Sequence, residues 1–164
     1  MGIPFSGEPG KNNAITDVAG LEVGTATLIR GDDVRTGITV IHPRGPSGSP
    51  DPVAAGFHSQ NGNGEMTGVS WIHESGTFAG PMSITSMAAV GVVPAAIMAW
   101  VAMHHPKMAE AWVLPVVGET WDGYLHDLNG QHITEDVALD ALESSSGGPV
   151  EEGSVGGGTG MTCY

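Results

Sequence analysis

The sequence predicts a single mixed α/β unit, and three observations carry that expectation. Residues 21–29 partly alternate apolar and polar side chains, and residues 36–41 form a β-branched run behind a Gly-Asp-Asp turn, the pattern of a hairpin. Residues 92–105 place apolar side chains at helical spacing. Residues 111–117 then make a short apolar run suited to a buried strand, so helices and strands are interleaved along one chain.

Taken in order, residues 1–20 hold Pro4, Gly7, Pro9, Gly10 and Gly20 and read as an extended arm. The hairpin follows, with its turn at Arg30-Gly-Asp-Asp33. Residues 42–51 are loop, and 53–56 a short strand. Gln60-Asn-Gly-Asn-Gly64 is a turn, because Asn and Gly both tolerate left-handed backbone angles. Residues 69–72 and 82–85 read as short strands. In the helix at 92–105, Pro94 falls in the first turn, where it removes no hydrogen bond. The strand at 111–117 ends at Gly118-Glu119. Thr134 is a good N-cap for a helix over 135–142, with Glu135 and Asp136 near its positive end. Residues 144–148 end that helix, and a strand starts at 161.

Composition narrows the function. There are 5 Lys+Arg against 18 Asp+Glu, a net charge of −13, which repels a phosphate backbone and argues against a nucleic-acid partner. The same balance suits a cationic ligand such as a free amine, though solubility alone accounts for acidity as well. The apolar stretch 82–103 is broken by Pro94 and small-residue turns and reads as core rather than as a membrane span. The first residues lack a basic and then apolar leader pattern, which favours the cytoplasm and leaves the periplasm open. The 7 histidines include no His-Glu-x-x-His, and the single cysteine has no partner, so no metal and no cofactor is expected. With 26 glycines and only 14% charged residues, the surface is short of charge, as in a chain that buries area against other chains.

Three Gly-rich polar stretches could carry chemistry. Gly153-Ser-Val-Gly-Gly-Gly-Thr-Gly160 can converge backbone amides on an oxyanion, or can be a turn where two elements pack closely. It lacks the Gly-Lys-Ser/Thr of a nucleotide loop. Asn61-Gly-Asn-Gly-Glu-Met-Thr-Gly68 is the second, either a pocket edge or a plain connection. In Gly118-Glu-Thr-Trp-Asp-Gly-Tyr124 a carboxylate, an indole and a phenol leave the end of an apolar strand. Ligand sites in α/β proteins favour such ends. Glu119 there can pair with an ammonium, and Trp121 or Tyr124 can donate to a developing oxyanion.

These stretches together resemble one family. Asn13-Ala-Ile-Thr-Asp-Val-Ala-Gly-Leu-Glu-Val-Gly24 with Arg35-Thr-Gly-Ile-Thr-Val-Ile41 is similar to the opening of the DmpA/BapA self-processing aminopeptidases. So are Asn61-Gly-Asn-Gly-Glu-Met-Thr-Gly68, Leu114-Pro-Val-Val-Gly-Glu-Thr-Trp-Asp-Gly123 and, most specifically, Gly148-Pro-Val-Glu-Glu-Gly-Ser-Val-Gly-Gly-Gly-Thr-Gly-Met161. The resemblance implies a four-layer αββα sandwich of which residues 1–164 form one portion, the N-terminal part of an α chain. It implies an aminopeptidase or amidase acting on small peptides, amides or esters, with the nucleophile an N-terminal Ser or Thr on further polypeptide of the same precursor, in a homo-oligomer of α/β units. The run of glycines close to Tyr164 is then the interior of a longer chain.

Carried over by position, Glu119 resembles the carboxylate that receives the substrate's amino group, and Trp121 stands where some members have a tyrosine. An indole donates one hydrogen bond but is no acid, so Tyr124 is a second candidate for the oxyanion donor. Gly157, Gly158 and Thr159 would line the floor of the site, and Asn61 its border. Two other readings stand beside this one: an ornithine-type acetyltransferase of similar fold, and a non-catalytic oligomeric scaffold.

Overall fold

The computed structural model describes residues 6–162. Its centre is a four-stranded sheet in the order β1 (Glu22–Arg30), β2 (Val34–His42), β5 (Met82–Ser86), β6 (Val116–Thr120). The strands β1 (Glu22–Arg30) and β2 (Val34–His42) form the expected hairpin in continuous antiparallel register, from Glu22 opposite His42 to Arg30 opposite Val34. Gly31 takes φ +51° in the turn between them. After a two-stranded ribbon of β3 (Val53–Ala54) and β4 (Thr77–Phe78), the chain enters β5 (Met82–Ser86), antiparallel to β2. β6 (Val116–Thr120) runs parallel to β5, reached through helices that follow β5.

Alternation along the strands separates two faces. Leu28, Ile38, Val40 and Val117 look to one side, where α2 (Val92–His104) and α4 (Glu135–Glu143) cover them. α2 buries Val93, Ala96, Ile97, Trp100 and Val101, one stripe at helical spacing. Pro94 sits in its first turn, where amides have no partner within the helix. α4 starts as expected, with Thr134 Oγ1 accepting from the Val137 amide at 3.4 Å. It packs so closely on β1 that a Cβ at Gly24 would meet the Ala141 carbonyl. His42 ends β2 inside this core, fully buried, its ring 5.0 Å from that of Trp100. A smaller cluster of Ile72, Phe78 and Val116 forms on the opposite face, at the β6 edge.

Several expectations fail locally. Residues 69–72 are not a strand but the start of α1 (Val69–Ser75), framed by Gly68 at φ +74° and Gly76 at φ +69°. A four-residue apolar run has too few positions to separate the two periods, and the flanking glycines supplied the boundaries. The strand expected at 111–117 lies at Val116–Thr120 instead, displaced by Pro115, which has no amide to give a ladder. The residues before it form α3 (Pro106–Ala111), opened by a proline at its first turn. Thr77–Phe78 was not foreseen as strand; it exists only by pairing with Val53–Ala54. The strand expected from 161 shows no ladder at Met161 and Thr162, and its remainder, with Cys163, lies outside the described residues. Within the N-terminal arm, Ile15–Asp17 is a turn of 3-10 helix rather than extended chain, and residues 1–5 lie outside the description.

Sheet and helix layer together are one half of the expected αββα arrangement. Among the described residues no helix is long and apolar enough to cross a membrane.

Candidate functional site

Two of the three Gly-rich stretches meet at the end of β6. Residues 65–67 run beside β6 as an irregular fifth strand: the Thr67 amide donates to Val117 at 3.0 Å and the Glu119 amide to Glu65 at 3.1 Å. The Thr67 hydroxyl adds a 2.7 Å bond to the Pro115 carbonyl and accepts from the Val117 amide at 2.9 Å. Backbone pairing of this kind fixes Gly64 and Glu65 next to Glu119. A Cβ at Gly64 would stand 2.9 Å from Glu119 Oε1, so the absence of a side chain there leaves the carboxylate its place.

The result is an open cleft of about 640 Å³ lined by Asn63, Gly64, Glu65, Met87, Glu119 and Trp121. Its lining joins two carboxylates, one carboxamide, a thioether and an indole. Among the described residues no cationic side chain forms a salt bridge with Glu119 or Glu65. A carboxylate at such a cleft, without a cationic partner among the described residues, is an acceptor for a ligand ammonium. Trp121, 43% exposed, offers an apolar ring face and one N–H donor.

The other residues singled out from the sequence fall elsewhere. Asn61 is outside the lining; its Oδ1 accepts from the Asn63 amide at 2.9 Å and turns the loop so that Asn63 enters the cleft instead. Tyr124 is 76% exposed, in the turn beyond β6, and is not in the lining. Gly157, Gly158 and Thr159 also lie outside it. They belong to a 3-10 turn, Gly156–Gly158, laid on the sheet face that carries Thr27, Thr39 and Ile84.

The amides of that turn are already spent. Gly156 donates to Thr27 Oγ1 at 2.9 Å, Gly157 to Thr39 Oγ1 at 3.1 Å, Gly158 to the Val155 carbonyl at 3.1 Å and Thr159 to Gly156 at 3.0 Å. An oxyanion hole needs unpaired donors that converge, and these four have partners. Close packing is what the glycines serve: a Cβ at Gly157 would stand 2.5 Å from the Ile84 carbonyl.

Sequence reasoning passed over Asn63, Gly64, Glu65, Met87 and Asp122. The first three were legible as members of the same Asn-Gly stretch as Asn61. Met87 arrives from the 3-10 turn after β5, Met87–Ala89, and only parallel pairing of β5 with β6 brings it to Glu119. Asp122 is 1% exposed, its carboxylate accepting from Thr36 Oγ1 at 2.5 Å and Ser86 Oγ at 2.8 Å.

With this geometry in hand, known structures define the class of protein first. The chain superimposes on the L-aminopeptidase D-Ala-esterase/amidase of Ochrobactrum anthropi, described as a prototype of the serine aminopeptidases and a variant of the Ntn hydrolase fold. The TM-score is 0.94 at 43% identity, over 99% of this chain and 48% of the other. A β-aminopeptidase from a Burkholderia species aligns with a TM-score of 0.86 at 45% identity, over 97% of this chain and 46% of that one. The fold is therefore that Ntn-hydrolase variant.

Residues 13–164 match peptidase family S58, and the chain belongs to that family. It is 50% identical to the β-peptidyl aminopeptidase BapA of Sphingosinicella microcystinivorans, an alignment covering 100% of this chain and 43% of the relative. The chain thus spans less than half the length of the curated relatives it matches.

Proposed function

We propose that this chain supplies the amine-binding wall of an aminopeptidase or amidase that releases N-terminal residues from small peptides, amides or esters. The observation that carries the reading is Glu119, a carboxylate without a cationic partner among the described residues, set at a strand end in a cleft beside an exposed indole. The substrate's α- or β-ammonium binds Glu119, which fixes the first residue and places its carbonyl outside the cleft wall. Trp121, which lines the cleft where Tyr124 does not, donates its N–H to that carbonyl oxygen as it gains charge, and its place in the lining supports this choice.

Among the described residues the cleft lining contains no Ser, Thr or Cys. The attacking hydroxyl belongs, on this reading, to an N-terminal Ser or Thr of further polypeptide from the same precursor. Its Oγ adds to the carbonyl as its own α-amine takes the proton. The C–N bond breaks with that proton going to the leaving amine, and water then releases the acyl group. Relatives more than twice as long as this chain support a completing polypeptide, and the charge-poor surface supports assembly of several such units.

Intact-mass spectrometry of the native preparation, combined with a peptide-amide assay, tests the reading. The expected result is a companion chain beginning with Ser or Thr and release of the N-terminal residue. Full activity from this chain alone, or turnover of N-acetylornithine without peptide turnover, defeats it.

A further inference from the structure

Thr120 and Asp122, the two neighbours of Trp121, are each fastened to other strands. The Thr120 hydroxyl lies 2.9 Å from the Gly157 carbonyl and 3.2 Å from that of Thr85, sharing one proton between them. The Asp122 carboxylate binds Thr36 of β2 and Ser86 at the end of β5, both buried. Among the described residues no cation pairs with it. A carboxylate removed from water costs several kcal/mol unless donors replace the lost hydration, and hydroxyl-to-carboxylate bonds are among the stronger ones. Two hydroxyls from two different strands meet that need at one position of the chain only, so the bonds act as a register pin for the residues around them.

The segment after Asp122 is held to the β1–β2 turn as well. The Leu125 amide closes a turn on the Asp122 carbonyl at 3.2 Å, the Arg35 amide donates to His126 Nδ1 at 3.3 Å, and the Asp127 amide donates to the Asp33 carbonyl at 2.7 Å. A Cβ at Gly123 would lie 3.2 Å from the Trp121 ring, so the chain doubles back close against the indole. Held inward on both sides, this stretch of backbone leaves the Trp121 side chain partly exposed in the cleft that Glu119 also lines.

We propose that Asp122 is a positioning residue: bridged to Thr36 and Ser86, it fixes the exit of β6 so that Glu119 and Trp121 face one space. Its value to the reaction rests on the reading of the cleft given above; its effect on Trp121 does not. Asp122 is not itself among the lining residues and takes no part in the chemistry.

The test uses the native protein with all chains that co-purify, labelled with 5-fluorotryptophan. The Trp121 signal in the fluorine NMR spectrum is identified by its loss in Trp121→Phe. In Asp122→Ala that signal is expected to shift or broaden while the signal of buried Trp100 stays, and kcat/KM for a peptide amide falls at least about tenfold. Asp122→Asn, which can still accept from one hydroxyl and donate to the other, restores most of both. If Asp122→Ala does not fold, Ser86→Ala, which removes one donor, is read in the same way. An unmoved Trp121 signal overturns the proposal, as does a moved signal with unchanged kcat/KM; a merely structural aspartate would lower Tm and leave both readouts alone. Should the wild type hydrolyse no peptide amide, the functional reading falls by itself, and the Trp121 signal still decides whether Asp122 positions it.

Discussion

The Thr120 hydroxyl donates to the Gly157 carbonyl across 2.9 Å, so the triple-glycine turn is clasped to the strand that carries Glu119. Thr120 and Glu119 are adjacent, and alternation sends their side chains to opposite faces of the sheet. The glycine turn consequently supports the cleft from behind rather than lining it.

Packing, not ligand binding, is then what Gly157 has to satisfy. Alanine at 157 would press its Cβ on the Ile84 carbonyl at 2.5 Å, whereas alanine at 158 meets its nearest atom, the Gly153 carbonyl, at 3.6 Å. Overpacking of this kind costs about 1–3 kcal/mol. Differential scanning calorimetry should find Gly157→Ala lowered by several degrees and Gly158→Ala close to the parent. Equal losses from both would remove the clasp as an explanation.

Glu119 should matter to substrates through their free amine. Glu119→Gln keeps the shape and removes the charge, and a hydrogen bond to a charged group is worth about 1.5–3 kcal/mol. The expected loss is on the order of 10- to 100-fold in kcat/KM for peptides with a free N-terminus. Steady-state kinetics that show no loss would contradict an amine-binding role.

Gly64→Ala probes the same carboxylate without touching it. The new Cβ would crowd Glu119 Oε1 at 2.9 Å, and the flexible end of the glutamate can yield by rotating. Activity is expected to fall several-fold, in KM above all, while the thermal midpoint changes little. A large drop in stability with normal kinetics for the folded enzyme would mean that the loop, not the carboxylate, feels the methyl.

His42 makes stability depend on pH. Burial lowers its pKa from 6.5 to about 4, against weaker raising effects from the Leu142 backbone and the Glu143 charge, with His105 adding to the lowering. The unfolded chain therefore binds a proton between pH 6.5 and 4 that the folded chain refuses. Stability is full above about pH 6.5 and declines as pH falls toward 4, by at most roughly 3 kcal/mol. Urea midpoints at pH 7.5 and 5 should differ, and His42→Phe should shrink the difference. An undiminished difference in that variant would assign the effect to other groups.

Much of the framework was legible from residue order. The β1–β2 hairpin and the helices α2 and α4 follow from side-chain period, a Gly-Asp-Asp turn and a Thr cap, all interactions among neighbours in sequence. Glu119 and Trp121 were visible because a polar trio closing an apolar run is unusual, and the family resemblance rested on the same residues. The helix at Val69–Ser75 was misread because a few apolar residues hold no distinguishable period, and the limits of β6 shifted because Pro115 cannot join a ladder.

Which residues share the cleft is a different kind of information. Met87 and Gly64 reach Glu119 through strand pairings between segments more than thirty positions apart, and Asp122 gained its partners from β2 and β5 in the same way. The glycine turn shows the difference most plainly: its composition allowed either an anion site or a close packing contact, and only the hydroxyls of Thr27 and Thr39, delivered by the folded sheet, consumed its amides. Local pattern records what a residue can do, whereas long-range pairing sets which partner it meets, and a hydrogen-bond donor that has found a partner is no longer available to a ligand.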